Sequence, residues 1–150
     1  GAVKVWSAPV LPDEILDTYR NVPAKPEAYS LEDHPQLVDG SPMRALFEQL
    51  RKEVLALDPS VTEEVLKLYI AFKAETNFLD VVPQKARLRL SLNMPFHELS
   101  DPKGLARDVT NLGRWGNGDV EIGFSEESEL PYVMGLIRQA FEKQMGNDAD

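Results

Sequence analysis

Residues 86–93 read ARLRLSLN, a run in which leucines alternate with polar side chains. The same alternation occurs in LKLYIAFK (residues 66–73) and in DVEIGF (residues 119–124). A period of two with one apolar face predicts β-strands that bury one side. NFLDVVPQK (residues 77–85) predicts a third strand between the first two, and the short turns around it predict an antiparallel meander.

Three amphipathic helices are predicted around these strands. The first begins at the capping pair Ser41-Pro42, the second runs from Ser100 to Gly113, and the third runs from about Ser128 to Gly146. The order helix, three strands, helix, strand, helix predicts an α+β fold. We therefore expect an antiparallel sheet of about four strands with helices packed on one face.

The domain is expected to begin at residue 41, so that residues 41–150 form a single α+β domain. Residues 1–40 contain several prolines and no sustained period, which is typical of an N-terminal arm or linker.

The composition is ordinary for a soluble globular protein, with 43% hydrophobic and 27% charged residues. The absence of cysteine excludes disulfides and thiolate metal sites and makes a cytoplasmic location the default expectation. No apolar run approaches the roughly 18 residues that a membrane span requires, so no membrane partner is expected.

The net charge of −9 argues against nucleic-acid binding by the protein as a whole. The charge is uneven: residues 1–66 sum to −6, residues 67–115 to +3 and residues 116–150 to −6. Any site for an anionic ligand is therefore expected in the middle segment.

Catalytic motifs are scarce. His34 and His97 do not stand in a metal-ligand spacing, and the sequence has no G-x-S-x-G, Walker or HExxH motif. A restriction-type nuclease needs an acid on one strand and an acid-x-Lys on the next, whereas DVVPQK offers Asp80 and Lys85 without the second acid. A non-enzymatic role is favoured, no cofactor or metal is indicated, and an undetected metal-dependent hydrolase stays as an alternative.

A basic sheet face is the first candidate site. Strand parity places the following residues opposite the apolar face: Lys67, Tyr69, Lys73, Lys85, Arg87 and Arg89. An aromatic ring among cations is suited to a phosphate, a nucleotide or single-stranded nucleic acid. The alternative is a structural role, in which Arg87 and Arg89 pair across strands with Glu121 and Asp119. The lysines would then prevent edge-to-edge association of the sheet with other chains.

The second candidate site is the glycine-rich run GRWGNGD, residues 113–119. Gly116, Asn117 and Gly118 can adopt positive φ, and their N–H groups could form an anion-binding nest. Arg114 and Asp119 flank them, and Trp115 could stack on a flat ligand. The alternative is a helix C-cap at Gly113 followed by an Asn-Gly turn, with Trp115 filling a corner of the core.

About 95 residues resemble an uncharacterised bacterial and archaeal domain family whose members often carry the name "predicted transport protein". The resemblance rests on LYIAFKAETNFLDVVPQKARLRLSLN, on DPKGLARDVTNLGRWGNGDVEI with its WGNGD motif, and on YVMGLIRQAFEK. It implies an accessory domain at the C-terminal end of larger proteins, some with restriction-type nuclease modules, and it brings no catalytic residues.

The sequence thus predicts a non-catalytic accessory or recognition domain in a restriction- or defence-type protein. Its expected partners are other domains of a larger polypeptide, a protein, an anionic ligand or nucleic acid. A structural or dimerisation module is the main alternative. The candidate binding residues are Tyr69, Lys73, Arg87, Arg89, Arg114, Trp115, Gly116, Asn117, Gly118 and Asp119.

Overall fold

The computed structural model describes residues 28–110 and 118–146. Within these ranges the chain forms two α-helices and one antiparallel sheet, so the predicted α+β class is confirmed, but the sheet has six strands rather than about four. The helices are α1 (Pro42–Leu55) and α2 (Leu130–Gln144). The strands are β1 (Thr62–Val65), β2 (Ile70–Lys73), β3 (Asn77–Pro83), β4 (Leu88–Leu92), β5 (Arg107–Asp108) and β6 (Val120–Phe124).

The strand order is β1-β2-β3-β4-β6-β5, with every neighbouring pair antiparallel. The first four strands follow one another through short turns, as the predicted meander requires. β6 then pairs with β4, and the two-residue strand β5 lies on the outer edge of β6. The end of the sheet that carries β5 and β6 is therefore built from segments distant in sequence from β4.

One face of the sheet packs against both helices. The helices contribute Met43, Leu46, Phe47, Leu50, Val54, Val133, Leu136, Ile137, Ala140 and Phe141, and the strands contribute Ile70, Phe72, Leu79, Val81, Leu88, Leu90, Leu92, Val120, Ile122 and Phe124. The Phe47 and Phe72 rings lie 6.4 Å apart between α1 and β2. The predicted cap is present, since the backbone N–H of Arg44 donates to Ser41 Oγ at 3.2 Å.

The segment before α1 also contacts this core. Leu37 is fully buried within it. The Nε2 of His34 donates to the carbonyl oxygen of Leu66 at 2.8 Å, which ties residue 34 to the turn after β1.

The single strand predicted over residues 66–73 is wrong in its first half. Leu66 N–H donates to the carbonyl oxygen of Tyr69 at 2.8 Å, so residues 66–69 form the turn of a β1–β2 hairpin, and Leu68 is 59% exposed. Leu66 and Leu68 lie in this turn but continue the alternation of Ile70 and Phe72 in the sequence. The pairing of Val65 with Ile70 shows that the inward-facing positions in fact change from odd to even across the turn. Periodicity alone therefore could not separate one strand from a hairpin here.

The helix predicted from Ser100 is also wrong over its described part. Residues 101–110 contain a turn and then β5, which pairs with β6. The Asp101 carboxylate accepts hydrogen bonds from the backbone N–H groups of Leu105 (3.1 Å) and Ala106 (2.7 Å), and Gly104 adopts φ +67. These contacts close a loop in place of a helical turn. The predicted helix end at Gly113 lies outside the described residues.

A bulge in the β2–β3 pair reorients one aromatic ring. The register shifts between Phe72 and Lys73, which leaves Phe78 as an extra residue on β3. Phe78 is fully buried and meets the Phe141 ring of α2 edge to face, with centroids 5.4 Å apart. Asp80, two residues later, consequently points to the opposite face of the sheet.

Candidate functional site

The sheet face that points away from the helices carries a row of polar side chains. Asp80, Ser91 and Glu121 are successive cross-strand neighbours on β3, β4 and β6, and Arg107 of β5 is the next neighbour of Glu121. Asp80 is 1% exposed and Glu121 is 4% exposed. Buried carboxylates are costly unless they are hydrogen-bonded or paired with charge. Asp80 accepts a hydrogen bond from Asn77 Nδ2 at 2.8 Å, whereas Glu121 lies beside two arginines.

Glu121 is approached by two arginines from opposite sides, and we call these three residues the arginine pair site. Arg87 Nη2 lies 3.6 Å from Glu121 Oε2, and Arg107 Nη1 lies 4.0 Å from the same oxygen. The side chain of Glu121 is 5% exposed, whereas those of Arg87 and Arg107 are 43% and 61% exposed. The carboxylate is therefore buried beneath two guanidinium groups that still face outward.

Gly123 makes the position of Arg87 possible. A Cβ built at Gly123 would lie 2.7 Å from Arg87 Nη1 and 3.3 Å from its Cδ, so the arginine lies directly over the glycine backbone. The Nε of Arg87 also donates to Gln84 Oε1 at 2.8 Å. The guanidinium group is thus held between the β3–β4 turn and Glu121. The predicted ion pair of Arg87 with Glu121 is present, but it runs diagonally over Gly123, because Ser91 is the direct neighbour of Glu121 on β4.

The position of Arg89 in the sheet differs from the one that strand parity predicts. The β4–β6 register places Arg89 opposite Gly123 rather than opposite Asp119. Arg89 lies on the same face as Arg87, one step along β4, and is partly buried.

Tyr69 and Lys73 lie at the far side of this face, near β1. Lys73 Nζ pairs with Glu64 Oε1 at 2.9 Å, and the hydrogen bond to that carboxylate raises the pKa of Lys73. Burial raises the pKa of Tyr69, and the negative charges of Asp80 and Glu64 add to this effect, whereas Lys73 opposes it. The face therefore carries both signs of charge, as in the structural alternative, in which strand parity brings acidic residues to the same face as the arginines.

The glycine-rich run is described only from Gly118 onward, and Arg114, Trp115, Gly116 and Asn117 lie outside the described residues. Gly118 adopts φ +157, and a Cβ at this position would lie 2.0 Å from the carbonyl oxygen of Leu92. Only glycine allows so close an approach of two backbones. The carbonyl oxygen of Asp119 accepts a hydrogen bond from Val109 N–H at 2.9 Å, which joins the run to the strand pair β5–β6.

Gly118 and Asp119 line a cavity of about 460 Å³ together with Asn93, Lys143 and Gln144. The polar groups of this cavity already have partners within the chain. Gln144 Nε2 donates to the Asn93 carbonyl oxygen at 2.6 Å, and Lys143 Nζ pairs with Glu98 Oε1 at 2.6 Å. The cavity is therefore a weaker candidate for ligand binding than the arginine pair site.

The arginine pair site was found only in part from the sequence. Arg87 was among the candidates, whereas Arg107 was assigned to a helix and Glu121 was considered only as an ion-pair partner. The pairing of β4, β6 and β5 brings these three residues together. The only sign of this pairing in the sequence is the alternation in DVEIGF. In the described ranges, no group of three or more His, Cys, Asp or Glu side chains is arranged to hold a metal ion.

The sequence pattern of one protein family matches residues 35–144. The chain belongs to the family named Domain of unknown function DUF5655. The matched range includes both helices, all six strands and the arginine pair site. The DUF5655 match therefore covers every α-helix and β-strand described above and also the buried residue Leu37.

A relative of this DUF5655 domain is an uncharacterized protein of Haemophilus influenzae, which is 43% identical over 100 residues. The aligned region covers 67% of this chain and 33% of the relative, so the chain spans about a third of that protein's length. No solved structure matches the chain. None of the helices in residues 28–110 and 118–146 has the length and apolar character needed to cross a membrane.

Proposed function

We propose that this DUF5655 domain is a non-catalytic recognition module that binds a carboxylate or phosphate group through Arg87 and Arg107. The observation that carries the proposal is the convergence of two half-exposed guanidinium groups on the single buried carboxylate of Glu121. Among these three side chains the charges sum to +1, so a further anion is attracted. Arginine is suited to this task because its planar fork binds carboxylates and phosphates in a bidentate manner.

Glu121 would act as the positioning residue of this site. Both arginine nitrogens lie within 4.0 Å of the same carboxylate oxygen, so they cannot be further apart than the sum of those two distances. A single anionic group could therefore contact both arginines at once. Arginines that are already held in place lose less side-chain entropy when they bind.

An acidic group on a protein partner is the ligand that we favour over nucleic acid. The net charge of −9 disfavours approach of a polyanion over long distances, whereas one carboxylate or phosphate needs only the local field of the arginine pair. The H. influenzae relative is about three times as long as the matched region. This supports an accessory role beside other domains, which by resemblance include restriction-type nuclease modules.

Tyr69, Lys73 and Arg89 lie on the same sheet face and would extend the contact surface of a bound protein. The glycine-rich run at Arg114–Asp119 stays a predicted part of the surface. Its described end favours a structural role for Gly118, because the backbone of β4 lies directly against it.

The proposal is tested by NMR titration of the ¹⁵N-labelled chain with three probes: inorganic phosphate, an acetylated tetraglutamate peptide and a single-stranded oligothymidylate. We expect saturable shifts at Arg87 and Arg107 with the peptide or with phosphate. An Arg87→Gln, Arg107→Gln variant should abolish them, while Lys52→Gln on the exposed surface of α1 should leave them unchanged. Binding of the oligonucleotide alone, or unaltered binding by the double variant, would contradict the proposal.

Glu121→Gln separates positioning from simple electrostatics. The substitution removes a negative charge beside two arginines, so electrostatic attraction alone predicts tighter anion binding. If Glu121 positions the arginines, binding weakens instead, by roughly 10-fold for the loss of one charge-assisted contact in each arginine. Stronger binding would exclude the positioning role.

A further inference from the structure

A groove lies on the helical side of the domain, opposite the sheet face that carries the arginine pair site. It opens between the C-terminal end of α1 and the first half of α2 and encloses about 480 Å³. Its walls are formed by Glu53, Ala56, Leu57, Pro131, Met134, Gly135 and Arg138. The floor is thus made of small or apolar residues, and each wall carries one charge.

Gly135 is unexplained by the fold of a single chain. It lies inside α2 and is exposed, and a Cβ built on it meets no atom within 4 Å. Its φ is not among the positive values in the described residues, so the backbone does not require glycine. Glycine inside a helix is less stable than alanine, and a close approach of another backbone is one of its established uses.

The charges of the two walls are complementary to each other. Glu53 stands on the α1 wall and Arg138 on the α2 wall, and both side chains are exposed. In a two-fold interface, a contact between two different residues occurs twice, once in each direction. A two-fold axis that runs along the groove would place the arginine wall of a second copy against the glutamate wall of the first, and its glutamate wall against the arginine wall.

We infer that the occupant of this groove is a second copy of the same chain, packed about a two-fold axis that runs along the groove. The absent side chain of Gly135 would let α2 approach the α1 wall of the second copy closely, with Glu53 facing Arg138 of the second copy on both sides. We expect this dimer to be weak and reversible, because it would rest on a single groove and on ion pairs between exposed side chains. It is independent of the anion site, which lies on the other face of the sheet.

The dimer is tested by sedimentation velocity of the 150-residue chain from about 10 µM to about 1 mM, a range suited to small interfaces. We expect a rising dimer fraction for the wild type. Glu53→Arg and Arg138→Glu should each weaken association at least ~10-fold, because each brings like charges together across the interface. The combined E53R, R138E variant should recover the wild-type constant within about threefold. Glu75→Arg, in the exposed β2–β3 turn, is the matched control and should change nothing.

Two substitutions of Gly135 give a second, independent readout. Gly135→Ala should raise the melting temperature by a few degrees, since helix propensity improves and no atom is in the way, yet it should weaken the dimer. Gly135→Gln should abolish the dimer while circular dichroism stays native. A monomer at all concentrations, a dimer that tolerates Gly135→Gln, or a charge swap that fails to restore association would each overturn the inference.

Discussion

Replacing Gly118 by alanine tests whether the end of the glycine-rich run serves the fold or a ligand. The new Cβ would lie 2.0 Å from the carbonyl oxygen of Leu92, 2.5 Å from its carbonyl carbon and 2.9 Å from Cα of Asn93. All three atoms belong to the backbone at the end of β4. None of them can rotate away, so either β4 or the start of β6 must move.

The size of the effect follows from these distances. A carbon–oxygen contact normally closes to about 3.3 Å, so the two backbones must separate by roughly 1.3 Å. Overpacking of this kind costs about 1–3 kcal/mol, and the unusual φ of +157 adds about 1–3 kcal/mol for a residue with a Cβ. The total of roughly 2–6 kcal/mol corresponds to a melting temperature about 5–20 °C lower for a chain of this length.

Thermal melts followed by circular dichroism, with urea unfolding as a second measure, provide the assay. Gly123→Ala is the matched control, because its Cβ would meet only the flexible end of Arg87. We expect that variant to lose less stability than Gly118→Ala, because the Arg87 side chain can shift and Arg107 still lies 4.0 Å from the Glu121 carboxylate. A Gly118→Ala protein that melts within about 2 °C of the wild type would refute the close backbone contact.

Three further predictions concern stability. Asp101→Asn should cost about 1–3 kcal/mol in urea unfolding, because the carboxylate accepts several loop hydrogen bonds. Partial burial raises the pKa of Asp101, but hydrogen bonds from Tyr132 and backbone amides outweigh it and lower the pKa overall. The carboxylate therefore stabilises the fold above its unfolded pKa of about 3.9, and this stabilisation is lost as the pH falls through the folded pKa. The free energy of unfolding of Asp101→Asn should consequently depend less on pH in the acid range than that of the wild type. Ser41→Ala should lower the free energy of unfolding by about 1 kcal/mol in the same assay, because α1 loses its N-terminal cap. Ser60→Ala is the control, since Ser60 lies outside any helix, and it should not cause a loss of this size. Arg51→Ala should destabilise the fold by about 1–3 kcal/mol, because Glu63 is only 14% exposed and loses a partner that lies at 2.8 Å. Urea unfolding at low and high salt measures this loss, and an unchanged midpoint would contradict it.

Most of the regular structure could be predicted from the sequence. α1, α2, β4 and β6 each have a clear helical or strand period and bury the residues that the period selects, and β3 was predicted from its apolar run between two turns. The β1–β2 hairpin and β5 were missed for different reasons. Leu66 and Leu68 extend the alternation of β2 in the sequence although they lie in the turn, and β5 is only two residues long, so its pairing with β6 leaves no periodic signal.

The candidate site was harder to predict than the fold. Strand parity brought Arg87 and Glu121 to the same face, because parity depends only on positions within each strand. Arg107 could not be assigned in this way, since an Asp-Pro start suggested a helix where Asp101 instead closes a loop. The packing of the Arg87 side chain over Gly123 could not be predicted either, because it depends on the register between β4 and β6.

The sequence by itself determined the fold class, the apolar faces of the helices and strands, and the scarcity of catalytic motifs. These follow from local periodicity and from side-chain chemistry, which every segment carries within itself. Only the tertiary structure decided that β6 pairs with β4 and that β5 closes the edge. Those pairings join residues that are 12 to 36 positions apart, and their register is set by side-chain packing across the whole sheet. The meeting of Arg87, Arg107 and Glu121 is a product of that register.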